Sequence, residues 1–131
     1  MIVVDTSALM AILLNEPESS QFRDALAEAP RKIISAVNVL EAGIVITARH
    51  GSDGADALTD LLERAEIKVV PFDQAQSQLA FAAFQAYGKG RHPARLNICD
   101  CAAYALAKEL DAPLLFKGND FAGTDIAPAM T

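Results

Sequence analysis

Short apolar runs that stop after three or four residues alternate along this chain with segments whose apolar residues recur at helical spacing, and few folds accept that alternation. Ile2-Val3-Val4 is apolar at successive positions, so both faces of that strand need cover, as in a parallel sheet. Lys32 to Ser35, Ile67 to Val70 (closed by Pro71) and Leu114-Leu115-Phe116 read as further strands, and a short one near Ile126 is expected to close the sheet. Between them the spacing predicts helices over Ser7–Leu14, Ser19–Ala29, Val39–His50, Ala55–Arg64, Gln74–Tyr87 and Ile98–Leu110. Pro17 and Pro30 end the first two, and Gly51 supplies a C-terminal stop for the third. Strands separated by helices form βαβ units, which dictates a mostly parallel α/β sheet with helices on both faces.

The 131 residues suit one domain, 1–131, with no repeat, linker or low-complexity tract. With 52% apolar residues a sizeable core is available without staples. Cys99 and Cys101, two residues apart, cannot form a disulfide framework and read as buried thiols in a reducing compartment. No apolar run approaches the ~20 residues that span a bilayer. The opening Met1-Ile2-Val3-Val4-Asp5 lacks the basic start of a signal peptide and reads as the first strand of a cytoplasmic protein. The net charge of −6 excludes a chain that holds nucleic acid by bulk electrostatics; a nucleic-acid enzyme with this balance needs bound cations, a local basic patch, or both.

In open parallel sheets, ligands bind beyond the carboxyl ends of the strands. Four acids from distant segments map to that edge. Asp5 ends the first strand, Glu41 falls in the first turn or so of the helix after Lys32–Ser35, Asp100 opens the last long helix, and Asp120 follows the Leu114–Phe116 strand. Each alone has a local explanation. Asn38-Val39-Leu40-Glu41 and Asn97-Ile98-Cys99-Asp100 both have capping-box spacing, Asp5 can cap the helix at Thr6-Ser7, and Asp120 suits a turn after Gly118-Asn119. Gathered at one edge they repel one another unless a cation sits among them. Hard oxygen ligands without His or Cys suit Mg²⁺ or Mn²⁺, and the chemistry that uses such a site is commonly phosphodiester cleavage.

With these positions in place, the chain resembles PIN-domain proteins of the VapC toxin type. The resemblance rests on Ile2-Val3-Val4-Asp5-Thr6-Ser7-Ala8-Leu9, on Ile34 to Ala42 with its Glu41, on Leu96 to Ala107 with its Asp100, and on Pro113 to Phe121 with its Asp120. It implies a three-layer α/β/α sandwich and Mg²⁺- or Mn²⁺-dependent endoribonuclease activity on structured RNA. It also implies a cognate antitoxin in the active-site groove, a homodimer, and contact with DNA only through the antitoxin. Asp5 and Asp100 match the principal metal ligands, Glu41 and Asp120 the other acids of the quartet, and Ser7 (or Thr6) the hydroxyl beside the first aspartate. A catalytically silent, partner-binding version of the same fold is the alternative.

Gly88-Lys89-Gly90-Arg91-His92-Pro93-Ala94-Arg95 carries three of the eleven Lys and Arg just ahead of Asp100. Lys89, Arg91 and Arg95 are either phosphate contacts or a solvated loop. His92 reads as a loop residue or RNA contact rather than a general base. Phe81, Phe84 and Tyr87 are expected in the core or a dimer contact, and Lys117 either near phosphate or balancing Asp120. A haloacid-dehalogenase-type phosphatase would need an Asp where Ser7 stands. A receiver domain would need an acid ending the third strand, where Val69-Val70-Pro71 offers none. A dinucleotide-binding turn would need the glycines that Asp5-Thr6-Ser7-Ala8-Leu9 lacks.

Overall fold

A computed structural model describes residues 1–130; Thr131, the last residue of the expected domain, lies outside them. Four parallel strands, β1 (Ile2–Val4), β2 (Lys32–Ser35), β3 (Ile67–Val70) and β4 (Leu114–Leu115), form a sheet in the order β3-β2-β1-β4. Five helices pack on it: α1 (Thr6–Leu13), α2 (Ser19–Glu28), α3 (Ala36–Arg64), α4 (Gln74–Tyr87) and α5 (Ile98–Leu110).

The strand side chains alternate between two cores. Val3, Ile33 and Leu114 face a core built with α4 and α5, whereas Val4, Ile34 and Leu115 face one built with α1, α2 and α3. This period of two across three strands makes the expected α/β/α sandwich, and explains why the strands are apolar at successive positions. α5 is buried continuously from Cys101 to Ala107. Ala102, Ala103, Ala105 and Ala107 keep it thin enough to lie against the sheet while α4 covers it. Among the described residues no helix is long and apolar enough to cross a membrane.

Three local departures have physical causes. α3 starts at Ala36 rather than Val39, because the Ser35 side chain accepts from the Val37 N–H at 3.2 Å and caps the helix there. The two helices expected around Gly51 run together as one element bent at that glycine, whose φ of 61° and ψ of −149° break the helical path. No regular strand forms near Ile126. Instead Leu114 makes a single parallel bridge to Pro128, with Leu114 N–H donating to Ala127 O (2.9 Å) and Ala129 N–H to Leu114 O (2.8 Å).

Candidate active site

Asp5 and Asp100 are held at the carboxyl edge of the sheet by different local devices. Asp5 follows β1 and caps α1: its Oδ2 accepts from the Ser7 N–H (3.0 Å) and from the Ser7 hydroxyl (2.6 Å). The other oxygen, Oδ1, is buried and meets no donor. Ser7 Oγ also accepts from the Lys117 N–H at 2.9 Å, so one hydroxyl ties the aspartate to the segment that leaves β4 and carries Asp120. Asp100 is the third residue of α5 and closes the predicted capping box. It takes the Asn97 N–H on Oδ2 (3.0 Å), while Asn97 Oδ1 takes the Asp100 N–H (2.9 Å). Glu41 lies in the second turn of α3, half-buried, with the Cys99 thiol against its carboxylate. Asp120 is exposed.

The electrostatics tie the four together. Burial pushes the Asp5 carboxyl up to about 6, against the pull of the Ser7 hydrogen bonds, and the Glu41 charge adds to the rise. Burial also pushes Asp100 up to about 7; the Asn97 hydrogen bond opposes this, and the charges of Asp5, Asp120 and Glu41 reinforce it. Cys99, desolvated and beside Glu41, rises to about 12, and burial with the Asp100 charge lifts Cys101 to about 11; both thiols therefore stay protonated at neutral pH.

These residues suit a hard divalent cation. The donors are carboxylate oxygens, one buried oxygen has no partner, and none of the four acids forms a salt bridge among the described residues. Among those residues no three His, Cys, Asp or Glu side chains are drawn together into a ready metal cage. The arrangement is a set of carboxylates in which caps and hydrogen bonds hold Asp5 and Asp100, with the repulsion among the acids uncompensated.

Lys89, Arg91 and Arg95 are exposed around an open concavity of about 460 Å³ that they line with Gly90, His92 and Pro93, and among the described residues none of the three pairs with an acid. The loop is closed at its base by Lys89 N–H to Leu96 O and Leu96 N–H to Tyr87 O, both at 3.0 Å. His92 is a strut inside it: Nδ1 accepts from the Ala94 N–H at 3.0 Å, and the ring stands edge-on to Tyr87 with centroids 5.1 Å apart. Lys117 does not pair with Asp120 but forms salt bridges with Glu16 and Glu18. Phe81 and Tyr87 part company, with Phe81 62% exposed and Tyr87 packed on Tyr104 and His92.

Sequence reasoning passed over one residue of this region. Asn38 was expected to cap a helix, yet it lies inside α3, fully buried, where its side chain joins α1 to α5. The available signal was a polar residue heading the buried stripe Asn38, Ala42, Ile46 at four-residue spacing.

Fold and site together define a class: an α/β/α protein whose parallel sheet gathers carboxylates at its carboxyl edge. The model of the PIN domain matches residues 2–127. A ribonuclease VapC of Mycolicibacterium smegmatis is 46% identical over 125 residues, spanning 95% of this chain and 97% of its own. Among solved structures, the VapC20 toxin of Mycobacterium tuberculosis, described as cleaving the sarcin–ricin loop, matches with a TM-score of 0.80 over 97% of each chain at 18% identity. A toxin–antitoxin complex from Klebsiella pneumoniae matches with a TM-score of 0.70 over 100% of this chain and 96% of that one, at 20% identity. The chain belongs to the PIN-domain family and, within it, to the VapC ribonucleases.

Proposed function

We propose that this chain is the toxin of a toxin–antitoxin pair, an endoribonuclease that cuts structured RNA at its carboxylate edge with Mg²⁺ or Mn²⁺. The observation that carries this reading is the buried, donorless Oδ1 of Asp5, with Glu41 and Asp100 in its electrostatic neighbourhood and no cationic side chain paired to it among the described residues. Asp5 and Asp100 would hold the cation, with Glu41 and Asp120 beside it, and a bound divalent ion supplies an activated water and charge stabilisation at the phosphate.

The chain's own groups do the positioning. Ser7 occupies Asp5 Oδ2 and so leaves Oδ1 without a donor, open to a cation. The Asn97 cap does the same for Asp100 through Oδ2. Glu41, unrestrained except by the Cys99 thiol, is the acid available to orient the attacking water. Lys89, Arg91 and Arg95 neutralise backbone phosphates on a loop that runs directly into the Asn97 cap.

Two assemblies belong to the same reading. A cognate antitoxin covers the active-site groove. A second copy of this chain seats on the apolar groove of about 440 Å³ lined by Val37, Phe72, Phe81, Phe84, Ile98 and Ala102, where Phe81 is 62% and Ile98 80% exposed.

The test is RNA cleavage by purified, antitoxin-free protein with Mg²⁺ or Mn²⁺, against EDTA and Asp5→Asn controls, with fragment ends sequenced. Discrete cuts that vanish in both controls support the reading. Metal binding without cuts sends the search to other RNAs, and absence of both favours a partner-binding module.

A further inference from the structure

We infer that Asn38 is a positioning residue for the reaction: one buried amide that sets the relative placement of Asp5 and Asp100. The inference rests on the metal-dependent reading above. Asn38 is 0% exposed and spans three segments that meet nowhere in sequence. One amide hydrogen goes to Thr6 Oγ1 at 3.3 Å and the other to the Cys99 main-chain carbonyl at 3.1 Å, while the Thr6 hydroxyl donates to the Asn38 main-chain carbonyl at 3.0 Å. Thr6 follows Asp5 directly, Cys99 directly precedes Asp100, and Glu41 lies about one helical turn beyond Asn38. A single side chain thus links the hydroxyl of the residue beside Asp5 to the backbone beside Asp100, and sits on the helix that carries Glu41.

The chemistry of the contacts fixes which way the amide points. The Cys99 carbonyl can only accept, so the amino group must face it, and the Thr6 hydrogen is already committed to the main-chain carbonyl of Asn38. The amide oxygen is thereby left buried with no donor. A residue kept for packing alone would be apolar here, because an unpaired buried acceptor works against stability. What the arrangement secures is geometry, and it secures it across three separate elements whose acids repel one another. Partners behind a set of metal ligands typically change metal affinity by about 10–100-fold when removed.

The experiment measures Mn²⁺ binding calorimetrically on the full chain, free of RNA, for wild type, Asn38→Ala, Thr6→Val and Thr6→Ser, with urea unfolding of each. We expect Asn38→Ala and Thr6→Val to weaken Mn²⁺ binding about 10-fold or more, and Thr6→Ser, which keeps the hydroxyl, to restore it. In cleavage assays kcat should fall at fixed metal and recover as Mn²⁺ is raised, with KM for RNA unchanged. Folded Asn38→Ala that binds Mn²⁺ as wild type does would overturn the inference and leave Asn38 a packing residue. Should Asn38→Ala fail to fold, Thr6→Val decides, since valine keeps the shape of threonine: unchanged affinity there overturns it equally. Wild-type protein that binds no Mn²⁺ would instead sink the metal-dependent reading itself, a result distinguishable from either.

Discussion

Replacing Asp5 by Asn should remove the activity and, without metal, make the protein more stable at neutral pH. The fold holds the Asp5 carboxyl near 6, whereas the ordinary value is 3.8. Between those two values the native state keeps a proton that the unfolded chain has released. Stability therefore falls as pH rises through this window, being fully present below the unfolded value and lost above the native one. A gap of about two units at 1.36 kcal/mol each gives a penalty of about 3 kcal/mol, complete by pH 7.5. Asn imitates the protonated acid: its oxygen can take both Ser7 hydrogen bonds, and its amino group occupies the place of Oδ1 in either case. Near pH 4 the variant and the wild type should thus be nearly equal. The gap should open as pH rises, helped in the same direction by relief of the Asp5 repulsion on Asp100.

The assay is urea unfolding in EDTA at pH 4, 5, 6 and 7.5. At pH 7.5 a difference of about 3 kcal/mol corresponds to a melting temperature roughly 10 °C higher for the variant. Mn²⁺ should then reverse the order: at a thousand times its Kd it adds about 4.1 kcal/mol to the wild type and nothing comparable to the variant. A stability difference that stays constant across the pH series would refute the argument, because a packing effect of the substitution has no reason to titrate between 4 and 6.

Changing Lys89, Arg91 and Arg95 together to Ala should weaken RNA binding and flatten the slope of log K against log salt by roughly 2 to 3, as expected for two or three lost phosphate contacts; a binding titration at several salt concentrations reads this, and an unchanged slope removes the loop from the interface. Gly88→Ala should destabilise the fold by about 1–3 kcal/mol in denaturant, since a Cβ there would stand 2.4 Å from the Phe84 carbonyl oxygen and ring; a neutral result would mean the turn out of α4 relaxes freely. Phe81→Glu should leave unfolding cooperative, because Phe81 is 62% exposed, yet should shift the solution mass from dimer to monomer in light scattering; a dimer that persists places the contact elsewhere.

What the sequence disclosed and what it withheld divide along a physical line. β1 to β3, α4 and α5 were readable because period, proline and glycine act within a few residues of where they stand. Asp5 and Asp100 were readable for the same reason, being set by strand ends and a capping box that are local events. Asn38 was misread because its local surroundings do resemble a cap; only the Ser35 hydroxyl, three residues earlier, and the Thr6 and Cys99 partners, 32 and 61 positions away, decide otherwise. Lys117 was unreadable in the same sense, since Glu16 and Glu18 lie about a hundred residues upstream. The expected strand at Ile126 reduced to one bridge because a sheet's last pairing depends on where Leu114 finds a partner rather than on local propensity.

Under the function proposed above, the local and the catalytic readings of the acids, first weighed as rivals, become two uses of the same side chain. A cap uses one carboxylate oxygen of Asp5 and one of Asp100, and by doing so immobilises the other. Immobilising a charged oxygen where no donor meets it is unfavourable for folding and useful for holding a cation, so the helix cap is the means by which the fold keeps the acids in place. Carboxylates left in flexible loops would relieve their repulsion by turning to water. Here Ser7 and Asn97 deny Asp5 and Asp100 that escape, and the residual repulsion surfaces as raised proton affinity at those two positions.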